Sequence, residues 1–322
     1  MTRSHARFRT MSLQRVLRFE VFLVLALVLG YLAFQNSLAF LTTVLVYAIL
    51  ALSYSFIYGQ AGIASMGHAT LYGVASYAVA ILAARELNDP LLGLLIGALV
   101  GTLTAWVTSW LFITTTRLTL AMLTIAVAQV FLEVANKAHW LTGGDDGFTG
   151  YAIKPVLGLF EFDMFGHTGY WYAAVVLVLV YVAMERVVRS DFGLVARAIK
   201  ADPGRIESLG GNVRRHLMKV YCISGAVAGI AGAINAQTAA VVSLDSLGFM
   251  VSINVLIMVV LGGSRRLYGA IIGAAVFLGI QHAASNFNPH HWLFVVGALL
   301  LIVMTAMPGG LISLTDRWRK SA

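Results

Sequence analysis

The chain has 322 residues, of which 59% are apolar and 11% charged, with 22 Lys and Arg against 14 Asp and Glu. Soluble domains carry roughly 45–50% apolar and about 25% charged residues, so this composition excludes an ordinary water-soluble core. It points to an all-α fold, a polytopic transmembrane helical bundle.

A membrane-spanning helix takes about 20 mainly apolar residues, within a range of about 17–25. Ten such blocks are read along the chain, at 17–34, 38–58, 68–84, 91–113, 118–135, 170–185, 217–242, 246–262, 267–285 and 291–307. The sixth and eighth are short, which suits a tilted, re-entrant or broken helix and leaves eight or nine as alternative counts. Together they make a single transmembrane domain over residues 1–322.

Residues 1–18 form a basic N-terminus with Arg3, Arg7, Arg9, Arg15 and Arg18. No small-x-small cleavage site follows closely and a second block opens at Leu38, so the first block reads as a retained helix rather than a signal peptide. Lys and Arg beside spans stay on the cytoplasmic side. With the N-terminus inside, ten spans place nineteen of the 22 Lys and Arg on the inner face and leave only Arg85, Lys137 and Lys154 outside. Both termini are then cytoplasmic. The net charge of +8 marks a membrane face rather than a nucleic-acid partner.

Between the second and third blocks, Gly59–His68 carries no charge and three glycines, together with Gln60, Ser65 and His68. These polar groups are costly in lipid unless they face a cavity or protein. Interrupted helices of this kind build passages in carriers; an ordinary cytoplasmic turn is the plainer reading. In the fifth block Gln129 and Glu133 lie four apart on one helical face. Asn235 and Gln237 fall near the outer end of the seventh, and all four are candidates to line the same route. His68 and His282 otherwise suit hydrogen-bonded packing positions, and Cys222, the single cysteine, a small apolar filler. Glycines recur every four residues at Gly93, Gly97 and Gly101, at Gly225 and Gly229, and at Gly269 and Gly273. That spacing lets membrane helices approach closely, here within the chain.

Two connections are long. The external loop 136–169 carries Asp145, Asp146, Glu161 and Asp163 and is a candidate docking surface through Asp145 and Asp146. Its Thr142–Gly147 run is no calcium loop, because Val156 falls where an EF-hand needs glutamate. The internal loop 186–216 is basic. Within it Asp202 suits an N-cap, Pro203 the first helical position and Gly210 or Gly211 the stop, giving a helix of about seven residues. Ile206 and Leu209 share one face, beside Arg205 and Glu207. Such a helix suits a groove on another protein or, equally from spacing, anionic lipid heads.

No G-x-x-x-x-G-K-[ST] loop and no H-E-x-x-H occur, so the chain has no ATP site of that kind and no zincin site. Carriers coupled to protons or sodium usually hold in-span charges, and here only Glu133 comes close. A transporter so built draws its energy from a partner.

Five stretches in order resemble the LivM-type permeases of branched-chain amino-acid ABC importers. They are Tyr58–Ala69, Leu120–Glu133 with Leu141–Gly147, Arg197–Gly210, Ala228–Ala233 and Val260–Gly269. The resemblance spans about residues 40–312. It departs from the family pattern at Pro203-Gly204 and at Arg265-Arg266. The resemblance implies a multi-pass permease of a bacterial inner membrane that is not itself an enzyme. Its implied partners are a second permease of similar fold, two cytoplasmic ATPases and an external solute-binding protein, with no cofactor in this chain and ATP-Mg on the ATPases. It also implies that Asp202, Arg205, Ile206, Glu207, Leu209 and Gly210 form the ATPase-coupling segment. Alternatives are a urea or amide importer subunit of the same architecture and, from another class, a stand-alone channel or facilitator.

Overall fold

The computed structural model describes residues 19–112, 117–163, 165–287, 297–298, 305 and 310–313. In chain order the helices are α1 (Phe19–Ala33), α2 (Leu38–Ser55), α3 (His68–Ala83), α4 (Pro90–Phe112), α5 (Arg117–Lys137) and α6 (His167–Arg189). They continue with α7 (Asp191–Ala201), α8 (Pro203–Ser208), α9 (Val213–Ala239), α10 (Phe249–Gly262) and α11 (Leu267–Phe287). Among the described residues six are long and apolar enough to cross a membrane: α4, α5, α6, α9, α11 and the continuous helical stretch Gln35–Ala61 that contains α2. Helices α1, α3 and α10 are apolar but shorter. These nine occupy nine of the ten expected blocks, while residues 1–18 and nearly all of 291–307 lie outside the described residues.

One expectation is corrected. The sixth block is not short: α6 runs 23 residues and takes in Arg186 and Arg189 at its end. Cations at a helix C-terminus complement its dipole, and long basic side chains keep their heads in water while their stems cover apolar surface. A basic stretch that reads as loop therefore continues the helix. Arg189 also pairs with Glu185 one turn back, at 2.8 Å.

Local chemistry fixes the helix starts. Asp89 accepts a hydrogen bond from the Leu91 amide at 2.9 Å ahead of Pro90, and Asn212 accepts from the Arg215 amide at 2.9 Å to open α9. Both are N-caps that satisfy amides with no helical partner. Helix packing follows the small residues. A Cβ on Gly97 would sit 2.6 Å from the Gly229 carbonyl oxygen, and one on Gly101 would run into that of Gly225, so α4 lies backbone to backbone on α9. Large fully buried side chains, Tyr54, Tyr170, Tyr181, Tyr221, Phe56 and Phe277 among them, fill the interior.

The helix ends collect at two poles. At one pole 58–62 lies against α7 and the α10–α11 connection, and the Leu311 amide bonds the Leu261 carbonyl at 2.9 Å. At the other the long connection 136–169 is pinned to its neighbours: Phe148 bridges Val242, the Lys154 amide bonds the Asn88 carbonyl at 3.0 Å, and Tyr31 meets His167 at 3.1 Å. Tyr151 in that loop donates to the Ala236 carbonyl at 2.7 Å, and burial raises its phenol above the ordinary value, so it stays a neutral donor.

Candidate translocation and coupling site

At Phe56–Ala61 the chain widens into a π-type turn and leaves the helix at Gly62, whose φ of 74° is left-handed. The Gly62 and Ile63 amides both return to the Ile57 carbonyl. This is a glycine-terminated stop with a bifurcated acceptor, close to the usual left-handed helix end, and π-turns of this kind gather at functional sites. Residues 62–67 then run without regular structure to His68, where α3 begins. The interruption expected over Gly59–His68 is present.

The polar residues of this break are packed inside the protein. Ser65 and His68 are fully buried and Gln60 nearly so. His68 Nε2 lies 2.7 Å from Ser53 Oγ, which itself bonds the Leu50 carbonyl at 2.7 Å. With the serine proton on that carbonyl, His68 donates through Nε2 and leaves Nδ1 a bare acceptor, without a partner in the structure. Ser224 Oγ donates to the Ser53 carbonyl at 2.8 Å, the Ala69 amide donates to Ser252 Oγ at 2.9 Å, and the Met66 amide donates to Thr124 Oγ1 at 3.0 Å. Four helices thus hold the break: α2, α5, α9 and α10. Thr70 Oγ1 is buried without a hydrogen-bond partner, and Ser65 is buried beside Tyr221. Beside them Thr70, Thr108, Thr124 and Tyr221 line a small cavity of about 10 Å³, room for about one water.

The other candidate path residues are not brought to this place. Gln129 and Glu133 lie on the exposed face of α5, where Glu133 pairs with Lys137 at 3.5 Å. That face also exposes Met122, Val130 and Val134, and α5 is the least covered of the six long helices. Asn235 is half-buried on α9. Gln237 belongs to packing: its Nε2 donates to the Pro90 carbonyl at 3.0 Å and its Oε1 accepts from Tyr172 at 2.7 Å, tying α4, α6 and α9 together. Both the oxygen and the nitrogen of the Gln237 amide are thus engaged inside the fold.

In the basic connection 186–216 the Asp202 carboxylate accepts from the Arg205 amide at 3.1 Å, Pro203 opens α8, and Gly210 has a φ of 81°. The helix is six residues long, one shorter than expected, and Leu209 falls just past its end. The shared apolar face is accordingly split: Ile206 is half-buried against Gly211, while Leu209 is 77% exposed. Arg205, Glu207 and Gly210 face solvent. At the opposite pole Asp145 and Asp146 are exposed on the short turn Gly144–Asp146.

Sequence reasoning missed α7. This helix buries Gly193, Ala196 and Ile199 and exposes Leu194 and Val195. Its Arg197 donates to Gln60 Oε1 at 3.0 Å and to the Val188 carbonyl at 2.9 Å. Its Lys200 donates to the carbonyls of Tyr58 and Gly59 at 3.2 and 2.7 Å and lies 5.9 Å from the Tyr58 ring. The signal was the three-residue spacing of Arg197 and Lys200, which puts both cations on one helical face.

A helical membrane protein whose interrupted helix is clasped by helices of a basic loop has the make of a transport subunit. The sequence matches the family described as "Branched-chain amino acid transport system / permease component" over residues 36–304. The chain belongs to that family. It is 25% identical over 323 residues to the high-affinity branched-chain amino acid transport system permease protein LivM of Escherichia coli K12, covering 91% of this chain and 74% of the relative. It is 24% identical over 283 residues to LivH of the same strain, covering 83% of this chain and 91% of the relative. A probable LivM of Methanocaldococcus jannaschii is 24% identical over 213 residues, covering 60% of this chain and 59% of that one. No solved structure matches the chain.

Proposed function

We propose that this permease forms the transmembrane path of an ATP-driven importer for branched-chain amino acids in a bacterial inner membrane. The observation that carries this reading is the direct attachment of the basic loop, through Arg197 and Lys200, to the break between α2 and α3. A passage opened by a partner needs such a link between the surface where the partner docks and the element that moves. The pole holding α7 and α8 is cytoplasmic and receives two ATPases, on which ATP-Mg is hydrolysed. Both chain termini lie on that side, with ten spans between them. A second permease of similar fold covers the exposed face of α5. Gln129 sits about eight residues, or roughly 12 Å along the helix, from Lys137, and a polar amide at that depth is costly in lipid. Against a second subunit, Gln129 and Glu133 line the passage between the two chains, with Ser65, His68, Gln60 and Asn235 behind them. The solute-binding protein docks at the opposite pole around Asp145 and Asp146.

Apart from Glu133, which pairs with Lys137, the proposed wall is built of uncharged polar groups, so it guides a zwitterion without holding it, and selection rests with the binding protein. Uptake of labelled leucine by the reconstituted complex tests the substrate. Unlabelled isoleucine and valine in hundredfold excess are expected to suppress uptake at least tenfold, with urea and acetamide leaving it within twofold. Suppression by urea or acetamide and not by the branched-chain amino acids would assign the subunit to an amide importer instead.

A further inference from the structure

The break in α2 leaves carbonyls without helical donors. The Gly62 and Ile63 amides both turn back to Ile57, so the carbonyls of Tyr58 and Gly59 point out of the helix end. Lys200 takes both, and its charge meets the negative end of the α2 dipole. Its stem passes over Gly62, where a Cβ would lie 3.0 Å from Lys200 Cγ, so Gly62 serves the close approach as well as the turn. Arg197, one turn earlier, reaches Gln60 and the Val188 carbonyl near the end of α6 together. On the far side Gly59 abuts the Ser264 carbonyl of the α10–α11 connection. Residues 58–62 are thus gripped by α7 and abut the α10–α11 turn. Helix α7 is anchored in turn to α9, through the Phe192 ring tilted against that of His216 with centroids 4.4 Å apart and the Phe192 carbonyl against His216 Nε2 at 3.1 Å.

We propose that Arg197 and Lys200 are positioning residues that latch α7 to the α2 break, so that displacement of the basic loop by a partner moves residues 58–67 as one body with it. This rests on the importer reading and goes beyond it. Docking of the partner falls to the exposed Leu194 and Leu209, whereas the latch carries the movement inward from there.

The test uses the complete complex in vesicles, with its ATPases and binding protein, on a Cys222→Ala background. Lys200→Met keeps the stem over Gly62 and removes the donor. It is expected to leave ATPase subunits bound and ATP turnover within twofold, while uptake falls at least tenfold; Lys200→Arg, which keeps a donor, is expected to retain at least half. The double variant Gln60→Cys with Arg197→Cys is expected to be uncoupled in the same way, and a short bis-maleimide tether between the two cysteines to restore at least half of uptake. Uptake within twofold of the parent in Lys200→Met would overturn the latch. So would joint loss of ATP turnover and uptake, which would make Lys200 a docking residue, and so would a tether that fails to restore uptake. If Lys200→Met does not accumulate in the membrane, the tethered pair decides alone. Uptake by the parent complex without ATP would sink the importer reading instead, and the parent preparation reads that separately.

Discussion

Replacing Leu194 and Leu209 together with Asp should strip the ATPase subunits from the permease while leaving the permease itself folded in the membrane. Both side chains are exposed in the isolated chain, at 59% and 77%, so neither supports its core. Seated in a groove of a partner, each contributes about 1.5–3 kcal/mol of apolar burial, and a carboxylate in its place adds a desolvation cost. Two such losses amount to about a hundredfold or more in affinity. The measurement is co-purification: tagged permease should recover less than a tenth of the parental ATPase at unchanged permease yield. Ile206 makes a poorer probe because it packs on Gly211 within its own loop, and Asp there disturbs the permease directly. If the ATPase stays bound to the double variant, the partner seats elsewhere.

The largest effect on the fold should come from Gly229→Val. A Cβ at Gly229 collides with the Gly97 carbonyl and lies 3.1 Å from the Gly101 Cα, so the obstruction is backbone on backbone and no rotamer relieves it. Overpacking a filled core costs about 1–3 kcal/mol and occasionally more; here α4 has to lift from α9 along the whole glycine stripe. In a membrane, where apolar helices gain little from leaving lipid, that close packing is the main attraction between them. Gly279→Val is the control, since a Cβ there meets nothing within 4 Å. Extraction into mild detergent followed by thermal unfolding should show the Gly229 variant largely aggregated or unfolding well below the parent, with the Gly279 variant close to it. Equal behaviour of the two would mean that the stripe is not what holds α4.

Much of this architecture was legible in the residues because it is written locally. Long apolar blocks separated by charges locate nine helices, since lipid demands both length and apolarity from each span. The Asp202–Pro203 start and the Gly210 stop depend on neighbouring residues alone, and they appear as expected apart from one residue of length. The break after Tyr58 was legible as well, through its glycines. What escaped were relations across the fold. Ser53, His68, Ser224 and Ser252 meet from four helices, and no spacing in the chain announces it. The four-residue spacing of Gln129 and Glu133 placed them on one face but not which face, and that face turned out to be the open one. Gln237 looks like a route residue by type and depth, yet Pro90 and Tyr172 claim its amide. Helix α7 was hidden by the basic character of its surroundings, which resembles a solvated loop until Lys200 is seen against the α2 carbonyls.

This permease is expected to move its substrate only when partner ATPases work on the pole that carries α7 and α8. Vesicles holding the permease, its permease partner and the ATPases, with binding protein and labelled leucine on the outside, measure this in one assay. With ATP-Mg enclosed, leucine should accumulate above its outside concentration; with a non-hydrolysable analogue enclosed, or with the ATPases omitted, uptake should fall to the level of empty vesicles. Equilibration of leucine through the permease at the same rate without ATPase or ATP would contradict the account and make the protein a facilitator.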